Sequence, residues 1–263
     1  MIINGLRGGL AALLMAFAPT VVQAETPLAH PAIASSLAIP GEGLTLPAAA
    51  PTRGRVVLVD AGSAQLYMIE DGQVVDSMRV IVGKGRATPT LTSTIHYATL
   101  NPYWYVPPDL ARKIIAPNVV KDGSSYLRSH GYEVVSAFNN NAEILSPTSV
   151  DWKAVAAGTA TAFVRQRPGP ANSMGRMKFG FGNVQGIFLH DTPRKELFAQ
   201  DQRDLSNGCV RLEDAPRLAR WLLGSDANTL SDVPDQHIAL PKSATVVIAY
   251  LGDPAPAQMA ALR

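Results

Sequence analysis

The sequence predicts a mainly β fold of the α+β class, with a β core that carries a partly helical insertion. From Arg53 onward, apolar runs of five to eight residues alternate with turn signals. The pair Asp71-Gly72 is typical of a hairpin turn between strands rich in Val, Ile and Tyr. Strand-like runs recur at residues 92–100, 133–138 and 244–252, so strands are expected along the whole domain.

Two helical segments interrupt this pattern. Residues 107–120 begin with two prolines and an acid, and this helix is expected to stop at Pro117. Residues 146–157 offer a second helix start. Together they predict that residues from about 103 to 180 form an insertion or cap on the β core.

A third helix is predicted at residues 213–224. Leu218, Trp221 and Leu222 fall on one face of it, as expected for an amphipathic helix that packs on a core. Gly224 supplies its end.

Composition divides the chain into four regions. A secretory signal peptide is predicted over residues 1–24, because a basic residue precedes an apolar run too short to span a membrane and small residues follow it. A Pro-, Ala- and Ser-rich flexible linker follows over residues 25–52. The folded domain is expected over residues 53–252 and a tail over residues 253–263. The mature chain is therefore expected to be exported, with no transmembrane segment after signal cleavage.

Charge and metal-ligand spacing give no sign of nucleic acid or metal. The 263 residues carry 23 Lys and Arg against 21 Asp and Glu, a formal net charge of +2, and no long basic run. This net charge argues neither for nor against nucleic acid, and without a long basic run no nucleic-acid partner is expected. The five histidines are scattered and none stands at a metal-ligand spacing from the single cysteine, so no metal site is expected.

That single cysteine, Cys209, has two interpretations. It cannot form an internal disulfide, and an exposed free thiol is a liability in an oxidising compartment. Cys209 is therefore either a buried apolar residue or a group retained for its chemistry. Composition alone does not separate the two.

A histidine 19 positions earlier favours the chemical interpretation. The apolar run 187–189 is read as a strand that delivers His190 at its end, where a scaffold can aim a side chain. Gly208 directly before Cys209 allows close approach of a substrate carbonyl. The helical stretch that follows is expected to place Cys209 near a helix N-terminus, which lowers the pKa of a thiol.

The chemical interpretation of this pair is cysteine acyl transfer, and a buried apolar Cys209 with a structural His190 is the alternative that the residues alone leave about equally open. His190 takes the thiol proton, Cys209 attacks a carbonyl, and the N–H groups of Gly208 and Cys209 hold the oxyanion. The imidazole needs a third group to orient it, and both the backbone carbonyl and the carboxylate of Asp191 are candidates. Arg211 is a candidate for binding a substrate carboxylate in bidentate fashion, with a surface or capping charge as the alternative.

More distant residues are candidates for binding substrate. Arg165 and Arg167 begin a Pro- and Gly-rich basic segment without an acid, which suits a cationic wall over an anionic ligand or, equally, a solvated loop. Trp104 stands between two tyrosines and is a candidate for the inner face of the cap. Aromatic packing within the cap is the alternative.

The stretch "FLHDTP…LSNGCVRLEDAPRLARWLL" closely resembles the catalytic signature of the L,D-transpeptidases, the YkuD-like family of bacterial cell-wall enzymes. The segments "VIVGKGRATPTLTSTIHYATLNPYWYVPPDLARKIIAP" and "RQRPGPANSMGRMKFGFGN" extend the likeness to about residues 54–252, and to the periplasmic subgroup with a large cap. The resemblance implies a β-barrel or sandwich core with the cysteine in a cleft beneath an inserted, partly helical capping subdomain. It implies a periplasmic enzyme that needs neither metal nor cofactor and whose cysteine is acylated by carbapenems.

The resemblance also implies a substrate and roles for the residues. Peptidoglycan tetrapeptide stems are the donors, and Cys209 forms a thioester with the third residue while the terminal D-alanine leaves. The diaminopimelate amine of a second stem resolves the thioester as a 3→3 cross-link. By position, Cys209 is the nucleophile, His190 the base, Gly208 and Cys209 the oxyanion site, and Ser206 and Arg211 shape the pocket and hold substrate.

Two positions depart from the family pattern. Asn207 stands where histidine is usual, and Phe188 where the capped subgroup often has tyrosine. Both departures affect the hydrogen bonding expected around the thioester, and with it the acceptor or the balance of transfer against hydrolysis.

Three alternatives to 3→3 cross-linking stay open. One is an L,D-carboxypeptidase or amidase. Another is attachment of an outer-membrane protein to peptidoglycan, or its release, by the same chemistry. The third is a non-catalytic wall-binding protein, against which the intact set of His190, Ser206, Gly208, Cys209 and Arg211 argues.

Overall fold

The computed structural model describes residues 46–48, 50–139 and 141–252. The predicted signal peptide, most of the predicted linker and the predicted tail lie outside these residues. The described part of the chain contains thirteen strands: β1 (Arg55–Asp60), β2 (Gln65–Glu70), β3 (Gln73–Gly83), β4 (Leu91–Leu100), β5 (Trp104–Val106), β6 (Tyr132–Val135), β7 (Ile144–Leu145), β8 (Phe163–Gln166), β9 (Met177–Phe181), β10 (Leu189–His190), β11 (Asp204–Ser206), β12 (Val210–Leu212) and β13 (Gln236–Ala249). It also contains five α-helices: α1 (Pro108–Leu110), α2 (Ala116–Asp122), α3 (Ser124–Ser129), α4 (Trp152–Ala157) and α5 (Ala215–Leu223).

Nine strands form the main sheet, in the order β11-β3-β12-β10-β9-β4-β13-β1-β2. The long strand β3 also pairs with β2, so eight of the nine strands close into a ring and β11 attaches beside β3. Closure leaves the ring without free edges. The mainly β, α+β prediction is confirmed, and the core is a closed β-barrel.

The hairpin predicted at Asp71-Gly72 is confirmed. It joins β2 to β3, and its two residues have φ angles of 48° and 79°. Positive φ at both central positions gives the turn a twist that matches the strands it joins. On the strands beside it, Leu66, Met68 and Val80 are fully buried in the barrel core.

Helix α5 packs on the same core, as predicted. Leu218 and Leu222 are fully buried, and the half-buried Trp221 packs beside them. The Asp214 carboxylate caps the first turn by accepting a hydrogen bond from the backbone N–H of Arg217 at 3.0 Å. Gly224 is the C-cap, also as predicted.

A second sheet, of strands β5-β8-β6-β7, is inserted between β4 and β9 of the barrel. Helices α1 to α4 belong to the same insertion and share with it a separate apolar core that includes Val106, Ile115, Val134 and Val164. This insertion falls within the cap predicted over residues from about 103 to 180. The last residues of that range belong to β9, a barrel strand.

The expectation that the first helix stops at Pro117 is wrong. A π-helical turn over Ala111–Ile115 leads into α2, and Pro117 lies in the first turn of α2, which continues to Asp122. The helical path runs without a break from Pro108 to Asp122, so Pro117 lies inside it. The π-helical turn, which ends with the Ala116 N–H bonded to the Ala111 carbonyl, comes directly before Pro117. The wider turn before it accommodates the ring.

The end of the predicted linker also differs from expectation. Leu46 and Ala50 are buried against Val56, Leu58 and Val247 on the barrel's outer surface. The apolar side chains of this stretch explain why it packs. In the described part of the chain, no helix is both long and apolar enough to cross a membrane.

Candidate active site

Two neighbouring parallel strands bring the predicted nucleophile and base together. In β10 and β12, Leu189 pairs with Val210 and His190 with Arg211. Leu189 and Val210 point into the barrel core and are fully buried. Because side chains alternate along a strand, His190, Arg211 and Cys209 lie on the opposite face.

The turn before β12 presents Cys209. Gly208 has a φ of 111°, in the left-handed region that favours glycine. The Ser206 hydroxyl accepts a hydrogen bond from the Gly208 N–H at 3.1 Å and donates one to the Cys209 carbonyl at 2.6 Å. Cys209 is half-buried, and its Sγ lies 3.9 Å from the carbonyl oxygen of Gly186. Ser206 therefore holds the Asn207–Gly208 peptide and the peptide that follows Cys209.

The backbone carbonyl of Asp191 orients His190. Nδ1 of His190 lies 2.5 Å from that oxygen, so Nδ1 carries the proton and Nε2 is left as an acceptor. The Asp191 carboxylate is used elsewhere: it accepts from the Arg176 N–H at 2.9 Å and from Lys195 Nζ at 2.7 Å. The sequence left two groups of Asp191 as candidates for orienting the imidazole, and in the structure the backbone carbonyl is the one bonded to it. Among the described residues, no three His, Cys, Asp or Glu side chains are placed to hold a metal ion.

Burial keeps both partners neutral at neutral pH. It lowers the pKa of His190 to about 4, against an opposing contribution from the hydrogen bond to Asp191. Burial also raises the pKa of the Cys209 thiol, although a backbone hydrogen bond from Phe188 and the charges of Arg211 and Arg86 lower it in part. The resting pair is therefore a thiol beside a neutral imidazole.

The expectation that a helix N-terminus lowers the pKa of Cys209 is wrong. The residues after Cys209 form strand β12, and helix α5 begins only at Ala215. Residues Val210–Leu212 pair with β10 on one side and with β3 on the other, so tertiary pairing decides their conformation. The helix that follows Cys209 in the chain therefore does not begin at the thiol.

Three further predicted residues surround the thiol. Arg211 is largely desolvated, which lowers its pKa, and it interacts electrostatically with Cys209. Its guanidinium makes no hydrogen bond or ion pair with any residue in the described ranges. Asn207 is exposed at the tip of the turn, and Phe188 is half-buried with Lys178 Nζ 5.8 Å from its ring centre.

The other predicted binding residues lie in the second sheet. Arg165 forms an ion pair with Glu133 at 2.9 Å, and Arg167 approaches the same carboxylate at 3.8 Å. Trp104 packs on the core of the second sheet, with its ring 6.4 Å from that of Tyr132. Among the described residues, no hydrogen bond, ion pair or ring contact joins these three to Cys209 or His190.

Sequence reasoning missed the segment that follows β3. Thr88, which is buried, donates a hydrogen bond to the Gly208 carbonyl at 2.9 Å. A Cβ placed on Gly208 lies 3.7 Å from Cδ of Arg86, so the Arg86 side chain runs alongside the nucleophile turn. In the sequence, Thr88 and the proline after it indicate only a turn that follows a glycine-rich stretch. Nothing local predicts that Thr88 contacts Gly208, which lies 120 residues further along the chain.

Comparison with known proteins identifies the family of the chain. Residues 54–248 match the model of the YkuD family, the L,D-transpeptidase catalytic domain. A curated relative from Haemophilus influenzae, named "Putative L,D-transpeptidase", is 33% identical over 168 residues, which are 64% of this chain and 33% of the relative. The chain thus spans about a third of that relative's length.

Solved structures similar to the chain carry the same family name. An L,D-transpeptidase from Mycobacterium smegmatis is 14% identical with a TM-score of 0.34, covering 74% of this chain and 58% of its own. L,D-transpeptidase 3 from Mycobacterium tuberculosis is 12% identical with a TM-score of 0.36, covering 74% and 61%. From the family match over most of its folded residues, the chain belongs to the L,D-transpeptidase catalytic domain family.

Proposed function

We propose that this protein is a peptidoglycan L,D-transpeptidase that forms 3→3 cross-links through a thioester on Cys209. One observation carries the proposal: a half-buried thiol and a buried imidazole lie on one face of adjacent strands, with Nδ1 of His190 committed to a carbonyl. This arrangement leaves Nε2 as the base for a thiol. If Cys209 and His190 only filled space, they would not need to lie on the same face with Nδ1 of His190 bonded to a carbonyl.

The first half-reaction makes the thioester. Sγ of Cys209 attacks the carbonyl carbon of the third residue of a tetrapeptide stem, while the thiol proton passes to Nε2 of His190. The carbonyl electron pair moves to oxygen, and the Cys209 N–H is the donor we assign to that oxyanion, since the Gly208 N–H is used by Ser206. Collapse breaks the peptide bond, and the terminal D-alanine leaves with the proton from His190.

The second half-reaction consumes the thioester. The diaminopimelate amine of another stem loses a proton to His190 and attacks the thioester carbonyl. Collapse breaks the Sγ–C bond, and the proton returns to sulfur, so the resting thiol and neutral imidazole are restored. The pKa of His190, lowered to about 4 by burial, leaves Nε2 unprotonated at neutral pH and able to accept a proton, and it also makes Nε2 a weaker base than an ordinary imidazole.

Unpaired charge beside the thiol fits an anionic substrate. Stem peptides carry free carboxylates, and the guanidinium of Arg211 lies half-buried next to Cys209. We assign Arg211 to a substrate carboxylate, with Asn207 and Phe188 bordering the acceptor side. Trp104, Arg165 and Arg167 remain proposed contacts of the capping subdomain with longer substrates.

We place this activity in the periplasm, after cleavage of a signal peptide at Ala24. The acceptor is a second stem in the main proposal and an outer-membrane protein in the alternative. Support for an exported location comes from the apolar N-terminal run and from the wall-modifying family.

Product analysis tests the proposal and separates its alternatives. The purified chain is incubated with disaccharide tetrapeptides, and the products are identified by mass. We expect dimers with 3→3 links, and none from the Cys209→Ala variant. Tripeptides without dimers would instead indicate a carboxypeptidase. Absence of any product from a folded protein would indicate a wall-binding protein.

A further inference from the structure

A single buried hydroxyl joins the end of β3 to the nucleophile turn. The side chain of Thr88 is 1% exposed. Its Oγ1 accepts a hydrogen bond from the Gly83 N–H at 2.9 Å and donates one to the Gly208 carbonyl, also at 2.9 Å. Both hydrogen-bonding roles of the hydroxyl are therefore filled, and one of them is filled by the residue directly before Cys209.

Holding that carbonyl determines where the next N–H points. The described peptide bonds are all trans, so the carbonyl of Gly208 and the N–H of Cys209 point in opposite directions. Thr88 thus fixes the direction of the Cys209 N–H. Within the described residues this N–H has no acceptor, whereas the Gly208 N–H is bonded to Ser206.

The backbone of the turn needs such a constraint. Glycine allows a wider range of backbone φ and ψ angles than any other residue, so the peptide groups beside it can rotate more freely. Gly208 adopts a positive φ of 111°. The two segments also touch: a Cβ on Gly83 would lie 3.0 Å from both Cα and N of Gly208. Glycine at position 83 therefore allows the close approach that puts the Thr88 hydroxyl within reach of the Gly208 carbonyl.

We propose that Thr88 is a positioning residue that aims the Cys209 N–H at the oxyanion formed when Cys209 attacks a carbonyl. This inference rests on the proposed acyl transfer. In that step the Sγ–C bond forms, the thiol proton passes to His190, and the carbonyl electron pair moves to the oxygen that the N–H receives. Thr88 touches neither substrate nor thiol, and acts only through the Gly208–Cys209 peptide.

Two reactions of the same thiol test this role. Acylation by the carbapenem imipenem passes through a tetrahedral oxyanion, with the β-lactam C–N bond breaking on collapse. Alkylation by iodoacetamide displaces iodide directly and forms no oxyanion. Rates of both are measured by intact-protein mass spectrometry for the wild type, Thr88→Val and Thr88→Ser.

In Thr88→Val, we expect acylation to slow at least about ten-fold, because loss of a direct oxyanion donor costs about 10²–10³-fold. Alkylation is expected to stay within about two-fold of the wild type. Thr88→Ser, which keeps the hydroxyl, is expected to restore most of the acylation rate. Thr88→Ala, which lacks the hydroxyl and adds no bulk, provides the same test if the valine variant does not fold.

Unchanged acylation in folded Thr88→Val or Thr88→Ala would overturn the inference. So would equal slowing of both reactions, or no recovery in Thr88→Ser, since these results indicate a general displacement of the thiol. A wild-type protein that is alkylated but never acylated would contradict the proposed function itself, and this inference with it.

Discussion

At the scale of single residues, the imidazole of His190 depends on the main chain for its orientation. Its Nδ1 bonds to the Asp191 carbonyl at 2.5 Å, and the Asp191 carboxylate faces Lys195 and the Arg176 N–H instead. A backbone carbonyl cannot be removed by substitution of a side chain. We therefore expect His190 to keep its orientation when the Asp191 side chain is substituted, whereas a histidine oriented by a carboxylate loses its orientation on such a substitution.

Asp191→Asn tests that difference. The amide oxygen still accepts from the Arg176 N–H, and only the half-exposed pair with Lys195 is lost. We expect the rate of Cys209 acylation by a carbapenem to stay within about five-fold of the wild type. A carboxylate that oriented the histidine would instead give a loss of about 10⁴-fold on this substitution. His190→Ala is the control, and it is expected to abolish acylation.

Burial of His190 also predicts how stability depends on pH. Unfolding restores its ordinary pKa of 6.5, whereas the folded protein keeps it near 4. Between pH 4 and 6.5 the unfolded state binds a proton that the folded state does not bind. The contribution of His190 to the free energy of unfolding is therefore full above pH 6.5 and is lost as the pH falls to about 4. We expect a loss of about 3 kcal/mol in the free energy of unfolding over that range.

The control for this prediction is His190→Gln, which has no group that titrates there. Urea unfolding of both proteins at several pH values isolates the histidine, since all other titrating groups are shared. Parallel curves for the two proteins would contradict the burial of a neutral His190.

At the scale of secondary structure elements, helix α5 shows what a sequence pattern can predict. Its buried face and its end both follow from local signals, namely apolar spacing and Gly224 after the last turn. The end of the first helix was less predictable, because a helix can continue past a proline where a π-helical turn comes directly before it. That π-helical turn has no local sequence signature.

Leu222→Ala tests the packing of α5. The side chain is fully buried in the barrel core, so its truncation is expected to lower the free energy of unfolding by about 2–5 kcal/mol. Arg220→Ala is the matched control, because Arg220 is exposed on the same helix and its removal is expected to cost less than about 0.5 kcal/mol. Equal effects in urea unfolding would contradict the assignment of the buried face.

At the scale of the whole molecule, the fold class was predictable because it rests on local patterns of strand-like runs and turn signals. The assignment of Cys209 and His190 to one site needed the family signature as well as their own neighbours in sequence. The surroundings of the thiol were not predictable. Whether a strand or a helix follows Cys209 depends on pairing with β3 and β10, and the contact of Thr88 with Gly208 joins positions 120 residues apart. Local propensity carries no information on either.

The described residues also contain two separate large cores, one in the barrel and one under the second sheet. Val164→Ala, in the second, is expected to lower local stability by about 1–3 kcal/mol. Hydrogen exchange is then expected to rise in β6 and β8 while β1 and β13 keep their protection. The matched change Val80→Ala in the barrel core is expected to raise hydrogen exchange in β1 and β13 while β6 and β8 keep their protection. A uniform rise in all four strands, in either variant, would contradict the prediction that the two cores lose stability separately.

The most direct test of the central claim is to trap the acyl-enzyme. The protein is mixed with a disaccharide tetrapeptide, quenched in acid and analysed by intact mass and peptide mapping. We predict an adduct with the mass of the donor less its terminal D-alanine, located on Cys209 and absent from Cys209→Ala. An adduct that persists in Cys209→Ala, or turnover of the stem peptide by that variant, would contradict acyl transfer through Cys209.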